Sequence, residues 1–224
     1  MDAIHQNLAG MIEEQVKRPT ADAPKKITGP LAAEQAALDR AGVPADVLPA
    51  GTPMPDGELL DAHGQSTSLA ATRDGRPTVL VFYRGAWCPY CSVTLRAYEQ
   101  QLLSPLRARG IELIAISPQG PDGSLTMEEK NELTFPVLSD PGNRVAGALG
   151  IVTAPTDGAR ASQQAAGIEL TEVNADGTTA VPMPTVVLVD EAGVIRWIDV
   201  KPNYATRTEP SEILATLTQL DERA

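Results

Sequence analysis

Cys88 and Cys91 are the only cysteines of the chain, and they stand three positions apart. The apolar residues 78–83 before them predict a buried strand, and residues 92–109 after them have the spacing of an amphipathic helix. A helix start favours a thiolate over a thiol, because its free N–H groups and dipole attract negative charge. Pro89 suits the first helical turn, where its missing N–H costs nothing. The pair is therefore predicted to be redox-active.

Other uses of two thiols are weaker interpretations. An inert buried pair is disfavoured, because this spacing between a strand and a helix is typical of redox motifs. A zinc site needs about four ligands. Only His5 and His63 could join the two sulfurs, and each histidine is interpreted as a surface residue. We therefore expect neither a metal nor a nucleotide cofactor.

The composition is that of a globular chain, with 42% hydrophobic and 21% charged residues. The net charge of −11 argues against a nucleic-acid partner, which would require basic patches. No apolar run is long enough to span a bilayer, and the first residues do not resemble a secretory signal, so we expect no membrane association. A cytoplasmic location is expected, and that reducing compartment favours a catalytic pair over a structural disulfide.

The chain is predicted to divide into a helical extension, residues 1–50, and a domain, residues 51–224. Helical spacing covers residues 4–16, and a second predicted helix, residues 31–41, precedes Gly42. The Pro-, Lys- and Ala-rich residues 18–30 indicate a linker. The sequence leaves open whether the extension packs on the domain, packs on a partner subunit or is a poorly ordered tail.

Within the domain, strand-like and helical segments alternate and predict an α/β fold with a central mixed sheet flanked by helices. A break or restart of the long helix is expected at Pro105, and Asp122 or Ser124 is expected to cap a helix that runs to residue 132. Residues 152–181 carry no clear pattern apart from a short helical stretch, residues 162–166. The other predicted segments are a hairpin (59–69), strands (111–116 and 135–138), a helix (143–149), a second hairpin (185–189 with 194–200) and a terminal helix (210–220).

Three segments, residues 82–91, 135–143 and 184–193, resemble the alkyl hydroperoxide reductase/thiol-specific antioxidant superfamily. The resemblance is strongest to its peroxiredoxin-like group with a Cys-x-x-Cys motif, and it covers about residues 50–220 except part of 152–181. It implies a thioredoxin-like fold and thiol-based redox chemistry. Homodimers are common in the resembled group.

In the family register, Cys91 stands at the peroxidatic position and Cys88 stands where a Thr or Ser is usual. Arg84 occupies the place of a Pro. Pro184 stands where the family has the Arg that holds the peroxide. The resemblance thus implies that the usual pocket is altered, and we hypothesise that Arg84 supplies the missing positive charge.

Other residues resemble thioredoxin and glutaredoxin. Pro184, followed by Thr185, matches the cis-proline that faces the disulfide in thioredoxin, so a cis bond is expected. Trp87 before the first cysteine is also similar to thioredoxin, and the inner pair Pro89-Tyr90 is similar to glutaredoxin.

These resemblances imply three functions. The preferred one is a hydroperoxide reductase, in which the Cys91 thiolate attacks, Cys88 forms the disulfide, and thioredoxin or glutathione restores the thiols. The second is a disulfide oxidoreductase, in which Cys88 attacks a protein or small disulfide and Cys91 resolves it. Cys88 is expected to be the more exposed thiol, which favours this second scheme. The third is a redox sensor that controls partner binding through residues 1–50.

Overall fold

The computed structural model describes residues 7–20 and 25–222. In these ranges no helix is both long enough and apolar enough to cross a bilayer. The described strands are β1 (Glu58–Leu60), β2 (Ser66–Ser68), β3 (Thr78–Phe82), β4 (Glu112–Ser117), β5 (Val137–Ser139), β6 (Val152–Thr153), β7 (Val181–Pro182), β8 (Thr185–Val189) and β9 (Ile195–Val200). The described helices are α1 (Leu8–Thr20), α2 (Lys25–Ala41), α3 (Leu69–Arg73), α4 (Pro89–Gln101), α5 (Leu103–Ala108), α6 (Pro121–Asn131), α7 (Arg144–Leu149), α8 (Asp157–Ala165), α9 (Leu170–Val173) and α10 (Pro210–Asp221), with a 3₁₀ turn at Pro141–Asn143.

The sheet that carries the cysteine motif has the order β2-β1-β5-β4-β3-β8-β9. The interior strand β3 runs parallel to β4 and antiparallel to β8. Every residue of β3 and β8 is buried, as expected for strands covered on both faces. Apolar clusters fill the space between the sheet and the helices on each side. The predicted α/β architecture with a mixed central sheet is confirmed.

The long helix after the cysteines is broken, as its proline predicts. The helix α4 ends at Gln101, and α5 starts at Leu103. A proline ring collides with the carbonyl four residues earlier, and Gln101 is that residue for Pro105. The predicted cap of α6 is wrong, because Gly120 is its N-cap and Asp122 and Ser124 lie inside the helix.

The N-terminal segment is more helical than predicted. The proposed linker, residues 18–30, is wrong for residues 18–20 and 25–30, which belong to α1 and α2; residues 1–6 and 21–24 lie outside the described part. The helix α1 packs on α4, and α2 packs on α8. The division of the chain at residue 50 stays a prediction.

Residues 152–181 form more structure than their composition indicated. They contain β6, α8, α9 and β7, and the predicted helical stretch 162–166 overlaps the end of α8. Thr156 caps α8 with its hydroxyl, which accepts the Ala159 N–H at 3.3 Å. The Thr156 N–H in turn donates to the carboxylate of Glu34 in α2 at 2.7 Å. This segment therefore supplies the surface against which the second N-terminal helix packs.

Gly150 allows the chain before β1 to lie close to α7. Its φ is +81°, and a Cβ atom there would lie 2.5 Å from the Asp46 carbonyl oxygen. Gly167 has a similar φ of +80° but no atom within 4 Å of a Cβ.

We expect Gly167→Ala to cost about 1–2 kcal/mol of unfolding free energy through its left-handed backbone alone. Gly150→Ala adds a steric collision and should cost at least about 2 kcal/mol more. Urea denaturation measures both, and equal losses would contradict the close approach.

Candidate active site

The two cysteines occupy different positions at the start of one helix. Cys88 is the N-cap of α4, with extended backbone, and Cys91 lies in the first turn. The Cys88 N–H donates to the Gly85 carbonyl at 3.1 Å, and the Cys91 N–H donates to the Cys88 carbonyl at 3.0 Å. Gly85 is required in this tight connection, because a Cβ there would collide with the indole of Trp87. The local fold therefore brings both sulfurs to one side of the helix start.

Both thiols are free and buried, with 1% of Cys88 and none of Cys91 exposed. Cys88 is thus the more exposed thiol by only 1%, and exposure does not decide which of the two attacks first. Aromatic side chains cover the helix start, and among them Tyr90 lies 6.3 Å from Tyr204 between ring centroids. The Tyr204 hydroxyl donates to the Leu31 carbonyl in α2 at 3.2 Å. The N-terminal segment thus helps to close the site over the cysteines.

Arg207 is the main functional candidate that sequence reasoning missed. Its Nη2 lies 3.4 Å from the Cys91 sulfur, although the two residues are 116 positions apart. The other terminal nitrogen donates to the carbonyl of Tyr204 and to that of Thr206, the latter at 2.7 Å. Arg207 belongs to residues 201–209, which connect β9 to α10 and are called the 201–209 loop below. The hydrogen bonds from its side chain to these backbone carbonyls hold the guanidinium beside the sulfur.

A signal for this contact exists in the strand pairing. Thr185 of β8 pairs with Phe82 at the end of β3 and with Val200 at the end of β9. The 201–209 loop therefore starts two strands away from the turn that carries the cysteines. Only the register of three strands reveals this neighbourhood, and spacing along the sequence does not.

The surroundings drive the pKa values of the two thiols in opposite directions. For Cys91, burial opposes ionisation, but the Cys88 hydrogen bond, the Arg207 charge and the Arg84 backbone N–H outweigh it and lower the pKa to about 5. For Cys88, burial, its hydrogen bond to Cys91 and the negative charge of that neighbour raise the pKa well above its ordinary value. At neutral pH, Cys91 is therefore the thiolate and Cys88 is the thiol.

The Arg84 guanidinium packs against two aromatic rings. The residue is only 4% exposed, and its guanidinium carbon lies 3.9 Å from the ring centroid of Tyr204 and 5.0 Å from that of Trp87. Its charge lowers the pKa of Cys88, and its backbone N–H lowers that of Cys91. The side-chain hydrogen bond to the Cys91 sulfur comes from Arg207, so the hypothesis that Arg84 supplies the charge stays a prediction.

Pro184 and Thr185 lie against the sulfur, but the expected cis bond is absent. No cis peptide bond occurs among the described residues. Instead, the Pro184 carbonyl accepts the Lys201 N–H at 2.8 Å and extends the β8–β9 ladder. Both residues line a small cavity of about 10 Å³ together with Cys91 and Arg207. A cavity of this size holds about one water-sized group.

Tyr83 completes the buried surroundings of the thiolate. The residue is fully buried and lines the same small cavity, and the Ser117 and Ser124 hydroxyls lie near its phenol. Burial raises the pKa of the phenol, the Ser117 hydroxyl opposes that shift, and the charge of Cys91 adds to it. Tyr83 is therefore a neutral hydroxyl in the wall of the site.

The two arginines should differ in their effect on Cys91. In a Cys88→Ser background, Arg207→Met removes an adjacent positive charge and should raise the pKa of Cys91 by about 1–3. Arg84→Met keeps the backbone N–H and should change it much less. The absorbance of the thiolate near 240 nm as a function of pH measures both values. A larger rise in Arg84→Met than in Arg207→Met would support the hypothesis that Arg84 supplies the charge.

Comparisons with known proteins agree with this fold and identify its family. The model of the AhpC/TSA family matches residues 50–198. Rv2521 of Mycobacterium tuberculosis (strain H37Rv), named as a candidate peroxiredoxin, is 36% identical over 107 residues, which are 48% of this chain and 63% of that protein. The chloroplastic peroxiredoxin Q of Sedum lineare is 30% identical over 110 residues, which are 49% of this chain and 58% of that protein. The match thus spans less than two thirds of either relative.

The fold comparison extends further along the chain. The crystal structure of peroxidoxin BcpB from Mycobacterium tuberculosis superposes with a TM-score of 0.58 and 19% identity, covering 77% of this chain and 97% of that one. This likeness confirms the thioredoxin-like fold expected from the sequence. Because the family model covers well over half of the residues, the chain belongs to the AhpC/TSA family.

Proposed function

We propose that this chain reduces hydroperoxides, with the Cys91 thiolate as the attacking group and Cys88 as the resolving thiol. One observation carries the proposal: a guanidinium nitrogen lies 3.4 Å from the Cys91 sulfur, next to a second thiol that stays protonated. A thiolate is the species that attacks a peroxide. Family membership supports the same chemistry.

In the first step, the Cys91 sulfur donates an electron pair to the terminal oxygen of the hydroperoxide. The O–O bond breaks, and the terminal OH is transferred to the sulfur, which is oxidised to a sulfenic acid. The other oxygen leaves as an alkoxide or hydroxide and takes a proton from solvent to become an alcohol or water. Arg207 has two roles here. It stabilises the thiolate before the attack, and in this proposal its Nη2 group, which lies beside the sulfur, also stabilises negative charge on the leaving oxygen.

In the second step, the Cys88 sulfur attacks the sulfenic sulfur, a disulfide forms and water leaves. Oxidation of Cys91 removes the negative charge that raises the pKa of Cys88. The charges of Arg84 and Arg207, which lower that pKa, remain. The second thiol is therefore activated only after the first has reacted.

Two electrons from an external thiol system must then reduce the disulfide. A thioredoxin-type or glutathione reductant, a cytoplasmic location and a homodimer are proposed from the sequence and the family. Trp87, Tyr90, Pro89 and Thr185 surround the pair and are proposed as supporting residues of the substrate site.

The disulfide oxidoreductase scheme is less well supported. It requires Cys88 to attack first, but Cys88 is buried and its pKa is raised. The cavity beside Cys91, about 10 Å³ in volume, suits the terminal oxygen of a peroxide better than the bulk of a disulfide. The redox-sensor scheme needs a change in association when the pair oxidises.

Trapping of sulfenic acid decides between the schemes. After brief exposure to sub-stoichiometric peroxide, Cys88→Ser should accumulate trapped sulfenic acid on Cys91 within seconds, whereas Cys91→Ser should not react. Mass spectrometry with a sulfenic-acid probe measures both, and Ser92→Ala serves as the matched control on the same helical turn.

The opposite result has a definite meaning. If neither cysteine variant reacts faster than a free thiol, the peroxidase proposal is wrong. Reduction of insulin or of a glutathione mixed disulfide would then support the oxidoreductase scheme. A redox-dependent change of association state without either activity would support the sensor.

A further inference from the structure

The 201–209 loop that carries Arg207 is anchored on two sides. On the domain side, the Tyr98 hydroxyl of α4 donates to the Thr208 carbonyl at 2.7 Å. The Thr208 hydroxyl donates to the Asp199 carboxylate of β9 at 2.6 Å. These contacts tie one flank of Arg207 to the core of the fold.

The other anchor is the N-terminal helix. Oε2 of Glu209 accepts the Leu8 N–H at 2.8 Å, and Oε1 accepts the Ala9 N–H at 2.8 Å. The first N–H groups of a helix have no partner within the helix, and a carboxylate there is favoured by the dipole as well. One side chain of the loop therefore holds the start of α1 through two charge-assisted hydrogen bonds.

The docked helix and the functional arginine line the same cleft. Leu8 is fully buried and Ile12 is 5% exposed, both in the apolar cluster that contains the cysteines. Ile12 also lines a cleft of about 630 Å³ together with Thr206 and Arg207. The α1 helix thus packs against both the helix of the cysteines and the loop of the arginine.

We propose that Glu209 is a positioning residue: by holding the start of α1, it docks the N-terminal helix on the 201–209 loop and keeps Arg207 beside the Cys91 sulfur. This inference rests on the role proposed above for Cys91 and Arg207. Because linkage is reciprocal, the negative charge on Cys91 favours the docked helix. Oxidation of Cys91 removes that charge and loosens the helix.

Several ionisable groups face Cys91 and enter any pH profile of this site. Cys88 and Tyr98 belong to the same helix as Cys91, and Tyr83 and Arg84 come directly after β3. Lys201 and Arg207 come from the loop. The carboxylates of Glu209 and Glu212 both act through space on buried Tyr98. The two carboxylates therefore lie in the same region, and of the two it is Glu209 that binds the start of α1.

This similarity provides a matched control. We compare Glu209→Ala with Glu212→Ala, an exposed residue of α10, and record the rate of reaction with hydrogen peroxide as a function of pH. Loss of a nearby carboxylate by itself would lower the pKa of Cys91. Loss of the positioned guanidinium would raise it, so the sign of the change separates the two effects.

For Glu209→Ala we expect the midpoint of the pH–rate profile to rise by about 1. The rate at pH 5 then falls at least about fivefold, because the thiolate fraction drops from roughly one half to one tenth. At pH 8 the thiol is almost fully ionised in both proteins, so any loss of rate there measures the second role of Arg207, on the leaving oxygen. In Glu212→Ala the midpoint of the pH–rate profile should not rise. Hydrogen exchange of the α1 amides should be faster in Glu209→Ala and in Cys91→Ser than in the reduced parent.

Two results would overturn the inference alone, and a third would overturn the role of Arg207 as well. One is a Glu209→Ala profile that matches Glu212→Ala while Arg207→Met still slows the reaction, which leaves the proposed function intact. The other is unchanged exchange of the α1 amides. If Arg207→Met reacts like the parent at every pH, the role of Arg207 itself is wrong, and the inference falls with it.

Discussion

A negative charge on a fully buried sulfur is the constraint on which the site depends. Burial strongly disfavours an isolated charge, and burial is also the largest influence on the pKa of Cys91. Three hydrogen-bond donors from separate parts of the fold stabilise the charge: the thiol of Cys88, the backbone N–H of Arg84 and the guanidinium of Arg207. The start of the helix alone would lower the pKa of both thiols by similar amounts. The two guanidinium charges act on Cys88 as well. The difference between the thiols arises from direct hydrogen bonds to the Cys91 sulfur, from the Arg207 side chain and the Arg84 backbone N–H.

Those contacts explain why exposure was a poor guide to the order of attack. A cysteine at an N-cap is expected to face solvent, and that expectation would make Cys88 the nucleophile. Here Tyr90 and Tyr204 cover the helix start, and α2 holds Tyr204 in place. With solvent excluded from both sulfurs, the positions of the positive charges decide which thiol ionises, and the nearest charge faces Cys91.

The sequence predicted those parts of the molecule that depend on local chemistry. The strand before Cys88, the helix after it and the break near Pro105 follow from residue patterns within a few turns. The linker at residues 18–30 was wrong, because much of it is helical despite its composition, and α2 is stabilised by packing on α8 rather than by propensity. Arg207 was missed for a related reason, since its place beside the sulfur follows from the pairing of β3, β8 and β9.

The same strand pairing explains how the site accommodates the unusual residue at position 184. The family resemblance implies an arginine there, and Pro184 cannot supply a charge. The Pro184 carbonyl, however, accepts the Lys201 N–H at 2.8 Å, so the start of β8 lies against the start of the 201–209 loop. An arginine on that loop can reach the sulfur from almost the same side of the sheet. The geometry thus keeps a positive charge near the thiolate while its position in the sequence has changed, which ties activation of Cys91 to the loop that the N-terminal helix contacts.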